Sequence, residues 1–178
     1  MNDLNKYGET FENIDLTNYN TYKITTNAKY LVKPYSVENL INLIKYLRQN
    51  NIKYFILGGG SNIILSSKYF DGVIIKLDNL NEIEIDGTLV KVGAGVMLNK
   101  FSMDMININL KGLEWSTGIP GTIGGSIVSN AGAYTKEMAD FIKEVYVLDK
   151  DLNLITMTKD EIKCSYRSTI FKETKNYI

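Results

Sequence analysis

Between Ala28 and Asn62 the chain runs through a strand-like stretch, a helix-like stretch, a second strand-like stretch and then three consecutive glycines. That order confines it to folds built on a strand, helix, strand unit. AKYLVKP (28–34) has strand length and is closed by Pro34. Ser36 stands where a helix N-cap belongs, Glu38 falls in the first turn, and Val37, Leu40, Ile41, Ile44 and Leu47 recur at helical spacing. The helix is expected to stop at Asn50 and Asn51. IKYFIL is then a β-branched and aromatic run that delivers the chain into Gly58, Gly59 and Gly60, followed by Ser61 and Asn62. NIIL (62–65) and GVIIKL (72–77) read as further strands of one small α/β domain that closes near residue 79.

The polar residues 1–20 show neither helical nor strand periodicity and are expected to form an N-terminal arm or a short helix, with order beginning near Thr21. From Asn81 the texture changes. NEIEID and TLVKVGAG alternate as strands joined at Asp86 and Gly87, a residue pair typical of tight hairpins, and a second domain is expected to begin here. Residues 97–109 place Leu98, Phe101, Met105 and Ile108 at helical spacing, with the methionines read as core filler. EVYVLDKDLNLITM forms a second hairpin pattern, turning at Asp149 to Asn153.

Two segments carry chemistry. LGGGSN (57–62) suits a loop whose amides converge on an anion, with Ser61 and Asn62 adding side-chain hydrogen bonds, and it equally suits a plain glycine turn; it fits neither the Rossmann nor the Walker pattern. GLEWSTGIPGTIGGSIVSNAGAY (112–134) is dense in glycine and holds the only tryptophan and one of two prolines. Its exposed amides would wrap a flat polar ring or a pyrophosphate, with Ser126 and Asn130 close by, and a loop of such length in a compact domain points to function.

Composition limits the chemistry. Twenty basic and twenty acidic residues cancel, so no polyanionic partner such as nucleic acid is expected. No apolar run reaches membrane-spanning length, and MNDLNKYGET has neither a basic nor an apolar leader region, so a cytoplasmic protein without membrane association is expected. With no histidine and one cysteine, Cys164, there is no internal disulfide, no metal site is expected, and Cys164 reads as a half-buried structural thiol.

GGGSN, GAG, GLEWSTGIPGTIGG, NAGAY and YRSTIF occur in the same order and at similar separations as in the UDP-N-acetylenolpyruvoylglucosamine reductase family, and from about Thr21 to Phe171 the chain resembles the FAD-binding part of that family. The resemblance implies an α+β, two-lobed FAD-binding fold of the vanillyl-alcohol-oxidase type, with a small α/β lobe (21–79) and a larger antiparallel α+β lobe (80–178). It implies FAD as cofactor, NADPH as reductant, UDP-N-acetylenolpyruvoylglucosamine as substrate and a place in peptidoglycan synthesis. FAD contacts are implied at Gly58, Gly59, Gly60, Ser61, Asn62, Gly118, Ile119, Gly121, Thr122, Gly124, Gly125 and Asn130.

By the same resemblance Arg167 is the catalytic arginine, its guanidinium stabilising the negative charge left when hydride passes from flavin to the enolpyruvyl group. Tyr134 either holds substrate or is a buried tyrosine with a satisfied hydroxyl. The family's proton-donating serine and its glutamate lie beyond YRSTIF. KNYI reads as the start of a strand, and the chain is expected to be a fragment lacking the substrate-binding domain. Two other readings stay open: a naturally short flavin-binding paralogue, and an FAD-dependent oxidase on the same fold. The chain departs from the family pattern at Thr25 and Thr26, where a glycine pair is usual, at Thr135, where glycine is usual, and at Thr169, where serine is usual.

Overall fold

The computed structural model of the protein describes residues 4–174 and 176–178. Packing divides the chain into two compact units, one reaching to Val96 and the other running from Met97 to Ile178.

The first unit is built on a four-stranded sheet. Its strands are β1 (Gly8–Asp15), β2 (Asn27–Pro34), β3 (Tyr54–Ile56) and β4 (Tyr69–Ile75), with the helix α1 (Val37–Gln49) between β2 and β3. The spatial order is β1-β2-β4-β3. Strands β2, β4 and β3 are parallel, with Leu31 and Phe55 both in register with Ile74, and β1 lies antiparallel along the outer side of β2. The expected strand, helix, strand unit is therefore present, with β4 inserted between its two strands. Central placement explains why Val73, Ile74 and Ile75 form an unbroken apolar run, because such a strand is covered on both faces.

Helix α1 starts at Ser36, whose side chain accepts a hydrogen bond from the Asn39 amide at 3.1 Å. It buries Leu40, Leu43, Ile44 and Leu47, each contributing roughly 1.5–3 kcal/mol. Val37, which fits the helical spacing, stays exposed. Beneath the sheet, Leu16, Ala28, Leu31, Leu57 and Ile74 form a core cluster edged by Tyr19, Ile63, Leu65 and Phe70.

Three expectations change in this unit. Residues 8–15 form a strand, where an arm or short helix was expected. GETFENID keeps most of its side chains at least partly exposed and has a left-handed Asn13 (φ 49°), so backbone pairing to β2 holds it, helped by Ile14 packing against the core cluster. NIIL is extended without joining a ladder: Ile63 and Leu65 turn into the core cluster and Ile64 is 72% exposed. The hairpin of β5 (Ile83–Asp86) and β6 (Leu89–Val92), whose two-residue loop opens with Gly87 at φ 59°, packs with the first unit. The division thus falls after Val96, later than the change of texture near residue 79 suggests. Gly93 and Gly95 account for this, since their backbones lie against Leu80 and Leu77 so closely that a Cβ would strike the carbonyls.

The second unit opens with α2 (Leu98–Asn107), which buries Leu98, Phe101, Ser102 and Met105 and leaves Ile108 at its end exposed. Next come α3 (Ile123–Val128), the two-residue strands β7 (Gly132–Ala133) and β8 (Lys136–Glu137), the hairpin of β9 (Glu144–Leu148) and β10 (Leu154–Thr158), and the short helix α4 (Ile170–Glu173). All described strand pairs in this unit are antiparallel. Ile178 exchanges two backbone hydrogen bonds of 2.9 Å with Leu148, while Lys175 of KNYI lies outside the described residues.

Candidate functional site

The triple glycine sits at the end of β3 and is fastened at both ends. At its first residue, the Lys76 ammonium donates to the Gly58 carbonyl at 2.6 Å. Lys76 is 7% exposed, and its charge is met by Asp78 at 3.3 Å, which also pairs with Lys33 at 3.1 Å. At the last residue, Gly60 is left-handed (φ 70°), and its carbonyl accepts from the Thr21 amide at 3.1 Å. A Cβ on Gly60 would run into the Tyr19 carbonyl. Glycine at this position thus serves the crossing of two backbones, which residue counting did not distinguish from ligand approach. Gly58, Gly59 and Ser61 are partly exposed and Asn62 is exposed, so the middle and far end of the loop are open. The crossing segment is braced by buried Asn20, whose side chain bonds the Leu16 carbonyl and both backbone groups of Ile24. Thr26 is buried and donates to the Ser67 carbonyl at 2.9 Å.

In the second unit, the long glycine-rich segment is only partly a loop. Residues 114–116 make one 3-10 turn, where the buried Ser116 and Ser102 hydroxyls meet at 2.6 Å, and Trp115 stacks on Phe141 with centroids 6.3 Å apart. The expected long loop is then interrupted by α3, capped by the Thr122 hydroxyl accepting from the Gly125 amide at 3.3 Å. Gly121, Thr122 and Ile123 are buried, whereas Gly118, Pro120 and Gly125 are exposed and Ile119 and Gly124 partly so. A Cβ built on Gly118 meets nothing within 4 Å. Open backbone of this kind, with no side chain standing over it, fits the edge of a flat ring or a phosphate.

Asn130 differs from the expectation of a flavin-facing donor. It is left-handed (φ 41°), 1% exposed, and its carboxamide is engaged inside the unit: it donates to the Ser165 carbonyl at 2.9 Å and accepts from the Ala139 amide at 3.0 Å. Buried polar side chains are paired in this way because an unpaired amide costs about 1–3 kcal/mol. Ser126 is likewise buried.

Arg167 lies at the tip of a tight turn. Ser165 and Ser168 exchange backbone hydrogen bonds of 3.0 and 3.1 Å, leaving Tyr166 and Arg167 as the two central residues. Arg167 is exposed and left-handed (φ 58°), a conformation glycine normally takes at this place in a turn. Left-handed non-glycine residues cost on the order of 1–3 kcal/mol and cluster at functional sites. The guanidinium stands 5.7 Å from the Tyr166 ring centroid, and the Lys172 ammonium donates to the Arg167 carbonyl at 2.9 Å. Tyr166 is 87% exposed.

Tyr134 is 85% exposed, which removes the buried alternative for it. With Thr135 it forms the two-residue loop between β7 and β8, and both are left-handed (φ 52° and 64°). A β-branched residue is poorly suited to that conformation. Thr135→Gly is therefore expected to stabilise the fold by about 1 kcal/mol, visible as a raised melting temperature. A lowered one would mean that the threonine side chain makes compensating contacts.

Cys164 is partly buried, and burial, then the nearby Glu137 carboxylate, pushes its thiol pKa up, which suits a structural thiol. Among the described residues no cluster of three or more metal-ligating side chains occurs, and no helix is long and apolar enough to cross a membrane.

A sequence profile described as an FAD binding domain matches residues 28–158. The chain belongs to this FAD-binding domain family. It is 40% identical, over 173 residues, to the UDP-N-acetylenolpyruvoylglucosamine reductase of Caldanaerobacter subterraneus subsp. tengcongensis, an alignment covering 97% of this chain and 57% of that protein. Among solved structures it is similar to UDP-N-acetylenolpyruvylglucosamine reductase from Thermus caldophilus, with a TM-score of 0.73, 26% identity, and coverage of 90% of this chain and 56% of the other. It also shares its fold with 6-hydroxy-D-nicotine oxidase from Arthrobacter nicotinovorans (TM-score 0.71, 18% identity, 86% and 36% coverage). The fold is thus the α+β FAD-binding fold that the resemblance implied. The chain spans about half the length of the reductases it matches.

Proposed function

We propose that this chain is the FAD-binding portion of an enzyme that reduces UDP-N-acetylenolpyruvoylglucosamine to UDP-N-acetylmuramate with NADPH, in the cytoplasm, as a step of peptidoglycan synthesis. The observation that carries the reading is the strained, exposed Arg167 at the tip of its turn, in a chain 40% identical to such a reductase. An exposed planar cation, backed by the Tyr166 ring, suits an anionic substrate better than a structural ion pair.

In this reading Gly58, Gly59, Ser61 and Asn62 contact FAD phosphate through open backbone and short polar side chains. Gly118, Ile119, Gly124 and Gly125 present open backbone to the cofactor, while Gly60, Gly121, Thr122 and Asn130 shape the segments from within. FAD, when bound there, would supply the chemistry for hydride transfer between NADPH and the enolpyruvyl group. Arg167 binds the substrate carboxylate and stabilises the negative charge that hydride addition creates there. Tyr134 offers its exposed hydroxyl to the substrate.

The proton that completes the reduction must come from an acid within hydrogen-bond reach of the carbanionic carbon. By the resemblance, the serine and glutamate that supply it belong to a part of the enzyme beyond YRSTIF. Mixing the 178-residue chain with FAD, NADPH and UDP-N-acetylenolpyruvoylglucosamine is therefore expected to give slow NADPH oxidation by oxygen and no UDP-N-acetylmuramate. Product above a no-protein control would require a proton donor within the chain.

A further inference from the structure

We infer that Asn130 and Thr169 are positioning residues for Arg167: two buried side chains that pin its turn, one on each side, to the segment around the end of α3. This rests on the reading of Arg167 as the catalytic arginine. On the N-terminal side, the Asn130 carboxamide holds the Ser165 carbonyl at 2.9 Å, two residues before Arg167. On the C-terminal side, the Thr169 hydroxyl donates to the Val128 carbonyl at 2.8 Å, two residues after it. Both side chains belong to residues almost absent from the surface, at 1% and 0% exposure, yet the arginine between their anchor points is exposed.

Thr169 shows that this arrangement is not incidental. It occupies the N-cap position of α4 with extended backbone (φ −142°, ψ 169°), where a threonine hydroxyl ordinarily accepts from a helix amide. Here it makes no cap bond and reaches across to Val128. Asn130 adds a third fixed point, since its oxygen is tied to the Ala139 amide and the carboxamide has little freedom to rotate. A turn held on only one side would let its tip swing, and misplacing a catalytic group by about 1 Å is enough to cost on the order of 100-fold in rate. The same two bonds join the arginine turn to residues directly following Gly118–Gly125. The position of the guanidinium is thereby tied to the backbone assigned to FAD.

The test uses the full gene product carrying these residues, loaded with FAD. Thr169→Val keeps the buried volume and removes the donor. Flavin reduction by NADPH and FAD affinity are expected to stay within about twofold of wild type, while kcat with UDP-N-acetylenolpyruvoylglucosamine falls at least about tenfold. Thr169→Ser, which restores the hydroxyl, is expected to recover most of that loss. Unchanged kcat in Thr169→Val, or a loss shared equally by the NADPH half-reaction, would overturn the inference. Arg167→Ala separates the two levels. If it is inactive while Thr169→Val is normal, only the positioning role fails; if it turns over normally, the arginine reading itself fails. Should Thr169→Val not fold, Thr169→Ala also removes the hydroxyl that reaches Val128, and the same split is expected; equal loss in both half-reactions, or none, would again overturn the inference.

Discussion

Arg167→Lys in the full gene product is expected to lower turnover of UDP-N-acetylenolpyruvoylglucosamine by about 100- to 1,000-fold while NADPH still reduces the flavin. Lysine keeps the charge and loses the planar fork, so a carboxylate formerly gripped at two oxygens is met by a point charge on a flexible stem. The turn makes the comparison clean. Arg167 is exposed, its backbone shape is set by the Ser165–Ser168 pair, and its carbonyl is held by Lys172, so shortening the head group leaves the local hydrogen bonds in place. Stopped-flow measurement of the two half-reactions separates the outcomes. A loss confined to flavin reoxidation by substrate is the expected result, and turnover near wild type would remove Arg167 from the chemistry.

Bulky replacement in the open parts of the two glycine segments is expected to abolish flavin retention without unfolding the protein. Gly59→Val and Gly124→Val place a branched side chain on partly exposed backbone that the proposed function assigns to the cofactor. Gly118→Val is the sharpest of these changes, because a Cβ there meets no protein atom within 4 Å and any effect on FAD comes from the ligand side. A rise in the FAD dissociation constant of about 100-fold, or about 2.7 kcal/mol, is the expected scale, with a melting temperature of the FAD-free protein close to wild type. Gly60→Ala provides the contrast: its side chain strikes the Tyr19 carbonyl in a left-handed backbone, so it is expected to destabilise the fold itself. If the Gly59, Gly118 and Gly124 variants all retain FAD at wild-type stoichiometry, these segments do not hold the cofactor.

What was legible in the sequence was whatever a short window of side chains decides. Ser36 and the spacing through Leu47 specify α1, and the alternation on either side of Gly87 specifies its hairpin, since caps, helical stripes and tight turns depend on neighbours in sequence. Strand β1 escaped because its side chains are largely exposed and its stability comes from pairing with β2, which leaves no apolar period to find. NIIL misled in the opposite direction: an apolar run of strand length turned alternate side chains into a core cluster without a ladder partner.

At the candidate site, motif resemblance located the glycine segments and Arg167. It did not separate glycines that expose backbone from Gly60, which lets two backbones cross, nor a ligand-facing Asn130 from one whose carboxamide is buried. Those distinctions depend on contacts 35 to 41 residues apart, such as Asn130 with Ser165 and Thr169 with Val128, which no local pattern encodes. Lys76 was hidden for the same reason. A single lysine closing the apolar run of β4 was the available signal, and its meaning lies in the Gly58 carbonyl 18 residues away.

The most direct test of the central claim is an absorbance spectrum of the purified chain after incubation with FAD and removal of free cofactor by gel filtration. An equimolar flavin band eluting with folded protein is the expected result. Colourless protein that still melts cooperatively would contradict it, because the fold would then be intact and the glycine segments would have nothing to hold.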